Sequence, residues 1–204
     1  MMAVDLKQKY NKYTQENPKA YLRNIAKELS VTEVQLLTFK ENTVQLKNDV
    51  QGMLKQIESL GEVMCITRNN SCVHERVGVY SNVSFSGSEK HKMGLAVNSD
   101  IDLRMFLNNW HYAFACNENG RKSFQFYDQY GHSVHKIFLQ DETKSDIFES
   151  IVQEFKVEPF EILPQPSKKS KTEFPDSEIN VGEFRKDWKN LKDTHDFFPM
   201  IMKH

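Results

Sequence analysis

The stretch WHYAFACNENGRKSFQFYDQYGHSVHKIFL, Trp110 to Leu139, decides the fold. It holds three β-type runs: Trp110 to Cys116, Ser123 to Tyr127 and Val134 to Leu139. Asn117-Glu118-Asn119-Gly120 and the residues around Gly131 separate them as turn clusters. Connections this short cannot make the crossover that parallel strands need, so the three runs read as an antiparallel meander.

Upstream of the meander, Val63 to Ile66, Val77 to Tyr80, Val83 to Phe85 and Met93 to Val97 are further short β-type runs. Asn69-Asn70, Ser86-Gly87-Ser88 and Asn98-Ser99-Asp100 punctuate them. Before these the period is helical. Asn17-Pro18 reads as an N-cap followed by proline at the first helical position, with Tyr21, Leu22, Ile25, Ala26 and Leu29 on one stripe. Val34, Leu36 and Leu37 open a second short helix. A third, near Val50 to Leu60, carries Met53, Leu54 and Ile57 and stops at Gly61, a C′ glycine.

Downstream, Ser145 to Phe155 is a helix with Ile147, Phe148, Ile151, Val152 and Phe155 on its buried side. From Pro159 to Asp176 the composition shifts to four prolines and the basic run Lys168-Lys169-Ser170-Lys171, which reads as a linker or exposed loop. A final helix starts near Gly182 or Glu183. The expected fold class is α+β: small N-terminal helices, a large antiparallel sheet, then a C-terminal ligand-bearing helix. The expected division is an α+β repeat over 1–158, a polar linker over 159–180 and the last helix over 181–204.

Bulk properties narrow the function. The net charge is −1, so no global basic field draws the chain to nucleic acid or an anionic membrane. The opening MMAVDLKQKYNKY has no apolar h-region, and no window nears the roughly 18 apolar residues of a spanning helix. Three cysteines (Cys65, Cys72 and Cys116) form an odd set without framework spacing, which suits a reducing compartment. A soluble, cytoplasmic protein is expected.

The run from Ile25 to Leu36 has the look of a DNA-binding helix-turn-helix. The second helix of such a unit must place cations on phosphates and polar groups on base edges. Its candidates Thr32, Glu33, Gln35, Thr38 and Lys40 include one lysine and one glutamate, a poor phosphate grip. Two small helices packing on the sheet is the favoured reading, and a DNA-binding or protein-interaction domain is kept as the alternative.

On the final helix Phe184, Trp188, Leu191, His195 and Phe198 advance by 4, 3, 4 and 3, which puts them within a single narrow stripe. An imidazole rising from an aromatic wall is what haem requires: a flat apolar seat and one nitrogen aimed at iron. Asp193 and Asp196 are placed to orient the other ring nitrogen. By pattern alone, a histidine on an apolar helix face is more commonly a satisfied core or interface residue, and both readings stand.

Four segments, in order along most of the chain, together resemble the N-terminal half of the haemin-degrading, haem-transport (HemS/ChuS/HmuS-type) family. The first is Gly61-Glu62-Val63-Met64 running on through Thr67-Arg68-Asn69 to Cys72-Val73-His74-Glu75. The second is Asp100 to Leu107. The third joins Phe124-Gln125-Phe126-Tyr127-Asp128 to Val134-His135-Lys136-Ile137, and the fourth is Asp193-Thr194-His195-Asp196-Phe197-Phe198. Tyr21-Leu22-Arg23 with Ile25-Ala26 also matches the family's opening helix, which weakens the DNA reading further.

The resemblance implies two similar α+β halves with haem (iron protoporphyrin) in a cleft between them. It implies His195 as the axial ligand of the haem iron and Arg104 on the distal side. Phe106 and Phe198 would be apolar walls, and His74 a secondary haem contact because it lies in a family motif. Without the resemblance, Arg104 reads as a surface ion pair with Asp100 or Asp102. Tyr112, Lys192, Lys203 and Arg185 are candidate contacts for the propionates. Pro199, where the family carries a small residue, is expected to kink or end the helix.

Family members continue into a second half of similar size after the ligand motif. Either this chain is an excised half, or two copies associate as a homodimer. The expected function is a cytoplasmic haem-binding protein of haem uptake and iron acquisition. It would pass haem from an importer to a degrading enzyme, or present it for breakdown. Oxygenase-type degradation with an external reductant ranks below binding, because no flavin or nicotinamide site is visible. Cys72-Val73-His74 and Cys65 lack the second ligand pair that a zinc site requires.

Overall fold

The computed structural model describes residues 3–69, 71–88, 91–160, 162–164 and 175–204. The chain divides into two compact units, residues 1–166 and residues 167–204. Most of the Pro/Lys stretch, including Lys168-Lys169-Ser170-Lys171, lies outside the described residues.

The first unit begins with α1 (Ala3–Glu16), α2 (Leu22–Glu28), α3 (Glu33–Leu37), β1 (Thr43–Leu46) and α4 (Val50–Ile57). It continues with β2 (Glu62–Arg68), β3 (Val73–Val79), β4 (Ser84–Ser86), β5 (Met93–Val97) and β6 (Asp102–Phe106). Then come β7 (Tyr112–Glu118), β8 (Arg121–Tyr127), β9 (Ser133–Leu139) and α5 (Ser145–Phe155). The expected meander is present as β7-β8-β9, at the centre of an antiparallel sheet ordered β1-β7-β8-β9-β2-β3. A second sheet is ordered β4-β5-β6. The class is α+β, as the sequence predicts.

The turn into β8 shows how local chemistry sets the register. Asn119 and Gly120 both take positive φ, 55° and 87°, the conformation of a tight hairpin whose twist matches its strands. Tyr112 then pairs with Tyr127 and Ala115 with Phe124, while Phe124 pairs with Ile137 on the other side. Rows of this kind put Ala113, Ala115, Phe124, Phe126 and Ile137 on one face. That face meets Leu54 and Ile57 of α4 and Phe148 and Val152 of α5, with Phe124 stacked on Phe148 at 4.4 Å.

The opposite face carries Phe114, Cys116 and Tyr127 and is covered by Val34 and Leu37 of α3 and by Ile162. Strands buried on both faces need no polar alternation, so Tyr112 to Cys116 and Ser123 to Tyr127 are continuously buried. Gly131, at φ +80°, lies so close to Thr32 that a Cβ there would meet it at 2.7 Å, and its carbonyl accepts the Val34 N–H. The helical cover is thereby pinned to the β8–β9 turn.

α3 is committed to structure rather than to reading a groove. Thr32 and Gln35 form a reciprocal capping box, Thr38 donates to the Gln35 carbonyl, Lys40 pairs with Glu118 at 2.9 Å, and Glu33 is buried. The expected N-cap at Asn17 is corrected. Asn17 follows the end of α1, a helix the sequence reading did not include, and α2 starts at Leu22 with no side-chain cap. Leu6 and Tyr10 of α1 pack on Ile25, Ala26 and Leu36. β1 and β6 were also not anticipated. Part of the expected linker is tied down: Phe160 N–H donates to Gln45 Oε1 and Ile162 is buried.

The second unit corrects the single last helix. It holds α6 (Val181–Lys189) and α7 (Phe197–Lys203), with a 3-10 turn at Thr194–Asp196 between them. α6 closes at Asn190, whose N–H bonds back to the Lys186 and Asp187 carbonyls. Asp193 then takes the His195 N–H on its carboxylate at 2.7 Å, a side-chain bond that competes with continued helix. Pro199 is the third residue of α7, where its missing N–H costs nothing, so it neither kinks nor ends the helix. The stripe from Phe184 to Phe198 is therefore divided between two helices. Lys203 and His204 bond Asp187 at 2.6 and 3.0 Å and tie α7 to α6.

Candidate functional site

His195 stands in the 3-10 turn with its side chain 82% exposed. One carboxylate oxygen, Asp193 Oδ1, accepts both its backbone N–H at 2.7 Å and its Nδ1 at 2.5 Å. These bonds hold the Asp193 carboxyl below the usual aspartate range, the backbone N–H contributing most. With Nδ1 engaged, Nε2 has no hydrogen-bond partner among the described residues. An imidazole fixed through one nitrogen and open at the other is the arrangement of a metal-ligating histidine with its orienting carboxylate.

The neighbouring surface is apolar and unusually open. Trp188, Phe197, Phe198 and Met202 are all exposed, Phe198 at 68%. Trp188 and Phe197 meet edge to face, 5.5 Å apart at 78°, and Phe184 packs on Trp188 at 5.8 Å. Trp188, Leu191, Lys192, Asp193 and Phe197 bound a groove of about 470 Å³. A flat apolar ligand is what such a groove accepts, with Lys192 on its rim. Of the other propionate candidates, Lys203 is engaged by Asp187, and Tyr112 is a core residue whose hydroxyl donates to the Leu163 carbonyl. Arg185 is exposed on α6.

Arg104 and Phe106 lie in the first unit, two residues apart on β6 and so on one face of it. Phe106 is 63% exposed, and Arg104 bonds Asp102 Oδ1 at 2.9 Å, the surface pair that its sequence context allows. Both border a cavity of about 150 Å³ whose inner wall is Thr67, Trp110 and His135. His74 is exposed on β3, paired in register with Thr67. The structure thus groups Arg104 with Phe106, and connects His195 to the aromatic groove of the second unit only through Asp193, which lines it.

The sequence reading did not single out His135. It is 1% exposed, with Nδ1 bonded to Thr67 Oγ1 at 2.8 Å and Nε2 to the Tyr80 hydroxyl at 2.5 Å. Trp110 lies against the ring at 5.2 Å. Burial lowers its pKa to about 3, so it is neutral at physiological pH. The signal lay in the alternation Ser133, His135, Ile137, Leu139, which puts this histidine among the inward side chains of β9.

An antiparallel sheet clad by helices, followed by a small unit that carries exposed aromatics and a histidine held by a carboxylate, defines the protein as α+β. Its residues 30–155 match the Haemin-degrading HemS.ChuX domain, and the chain belongs to that family.

The chain is 30% identical to the hemin transport protein HmuS of Yersinia pestis, over all of this chain and 59% of that protein. It resembles the crystal structure of holo-PhuS, a heme-binding protein from Pseudomonas aeruginosa, with a TM-score of 0.81 and 32% identity, covering 100% of this chain and 61% of that one. The heme degrading enzyme ChuS of Escherichia coli O157:H7 matches with a TM-score of 0.72 and 27% identity, over 100% of this chain and 60% of that one. The chain therefore spans about three fifths of the length of the relatives it matches. No helix among the described residues is long and apolar enough to cross a membrane.

Proposed function

We propose that the chain is a cytoplasmic haem-binding protein of haem uptake and iron acquisition, with His195 as the axial ligand. The observation that carries this reading is the His195–Asp193 clamp beside the Trp188–Phe197 groove. Asp193 fixes the ring through Nδ1 and leaves Nε2 as the donor, while the aromatic side chains give a macrocycle an apolar seat. The residues present fit the group: a nitrogen donor with no competing bond, exposed aromatic side chains in the same unit, and a lysine at the groove's rim for an acidic substituent. When bound, haem would supply an iron able to take the imidazole and a further ligand.

Phe198, and from the first unit Arg104, Phe106 and His74, are proposed as further haem-contacting residues on the strength of the family resemblance. Delivery to a degrading enzyme, or presentation for breakdown, is proposed as the cellular role, because relatives carry the names of a transport protein, a binding protein and a degrading enzyme.

The test is a haem titration followed at the Soret band. A saturable shift that His195→Ala abolishes supports the ligand, and an unchanged titration in that variant removes it. For degradation, the readout is loss of the Soret band with a reductant and oxygen. Catalase must be present, because free peroxide bleaches haem unaided.

A further inference from the structure

The two small helices that look like a helix-turn-helix border a groove that haem binding leaves unused. Its volume is about 550 Å³, and its lining includes Arg23, Asn24 and Lys27 of α2, Val31, Glu33 at the start of α3, and His132 of the β8–β9 turn. Glu33 is only 4% exposed, and its Oε1 has no hydrogen-bond partner among the described residues. Arg23 Nη1 stands 4.0 Å from that oxygen and 3.5 Å from the Asn69 carbonyl, both at the outer limit of such contacts. Lys27 makes no ion pair among the described residues. Arg23 and the buried Lys136 act on Glu33 electrostatically, yet its Oε1 has no donor within hydrogen-bond distance, a costly state for a buried carboxylate, and Arg23 holds its two acceptors only at long range.

We propose that this groove is a binding site for a free acidic α-amino acid. Its ammonium would supply the donor missing at Glu33. Its two carboxylates would take Arg23, which is loosely held and able to turn, and Lys27, while Val31 backs the methylene chain. A plain dicarboxylate would bring like charge against Glu33, and a plain amine would leave both cations unpaired. This site involves none of the residues assigned to haem, so it stands or falls independently of the haem reading.

The test uses L-glutamate as probe in ¹H–¹⁵N spectra of the whole chain. The expected result is saturable shifts confined to residues 23–33 and the turn at 131–132. N-acetyl-L-glutamate and glutarate, which lack the ammonium, should bind about tenfold or more weakly, as should L-glutamate to Glu33→Gln. Saturating haem should leave the shifts in place. Glutarate binding as tightly as glutamate, shifts located elsewhere, no saturation at millimolar probe, or displacement by haem would each overturn the proposal. If Glu33→Gln fails to fold, the three ligands compared on the unaltered chain decide alone.

Discussion

Two histidines mark the contrast between the sheet and the C-terminal unit. His135 lies inside the first unit with both ring nitrogens bonded and tryptophan against its face. His195 lies on the surface of the second, with one nitrogen bonded and the other open. Burial with full hydrogen bonding makes an imidazole a neutral strut. Exposure with one bonded nitrogen makes it an oriented donor. The difference between them is environment, so changing one histidine or its partners should leave the other unaffected.

The largest expected effect is on stability at His135. His135→Ala strands the buried Tyr80 hydroxyl, takes the partner of the half-buried Thr67 hydroxyl and opens a void, at a cost of about 4 kcal/mol by urea denaturation. His195→Ala should leave the urea midpoint where it is while abolishing the Soret shift. A similar loss of stability in both variants would erase the contrast.

Next is pH. Burial lowers the folded pKa of His135 to about 3, from about 6.5 for a histidine in water. Below 6.5 the unfolded chain therefore binds a proton that the folded chain refuses. Its contribution is fully favourable above 6.5 and is lost as pH falls, by about 1.4 kcal/mol per pH unit down to the folded value. Denaturation curves across that window should lose this slope in His135→Gln.

Smaller again, Tyr80→Phe removes only the Nε2 partner and should cost about 1–2 kcal/mol, with haem binding unchanged. The mildest change falls on the other side of the contrast. Asp193→Ala frees the His195 ring and should weaken haem about tenfold in a Soret titration, without moving the denaturation midpoint. Unchanged haem affinity in that variant would show that the clamp does not orient the ligand.

What was legible in the sequence follows the same divide. The meander and α5 could be read because period and turn residues act locally: Asn119-Gly120 makes its hairpin, and Phe148, Ile151, Val152 and Phe155 share one helical face. α1 was missed because its buried stripe is thin, resting on Leu6 and Tyr10 among polar neighbours. β1 and β6 were missed because polar residues interrupt their apolar ones, Gln45 in the first and Asp102 and Arg104 in the second.

The last helix was drawn too long because spacing counts positions and is blind to a carboxylate that captures a backbone N–H. α6 closes at Asn190, and Asp193 then starts a new turn by capturing the His195 N–H instead of continuing the run that Phe184, Trp188 and Leu191 suggest. The same aspartate was legible as the partner of His195. The Tyr80–His135–Thr67 chain was not, because three strands must be placed in register before those side chains can meet.

The central position of β8 sets a clock within the molecule. Its amides pair with β7 on one side and β9 on the other, and its side chains are buried on both faces from Ser123 to Tyr127. No local fraying reaches them, so in deuterium oxide they should be the last to exchange, at a rate that reports opening of the entire first unit. α6 and α7, whose described apolar side chains are mostly half-covered or exposed, should exchange early. Deuterium uptake would then separate a ligand that merely settles on the second unit from one that stiffens the whole fold.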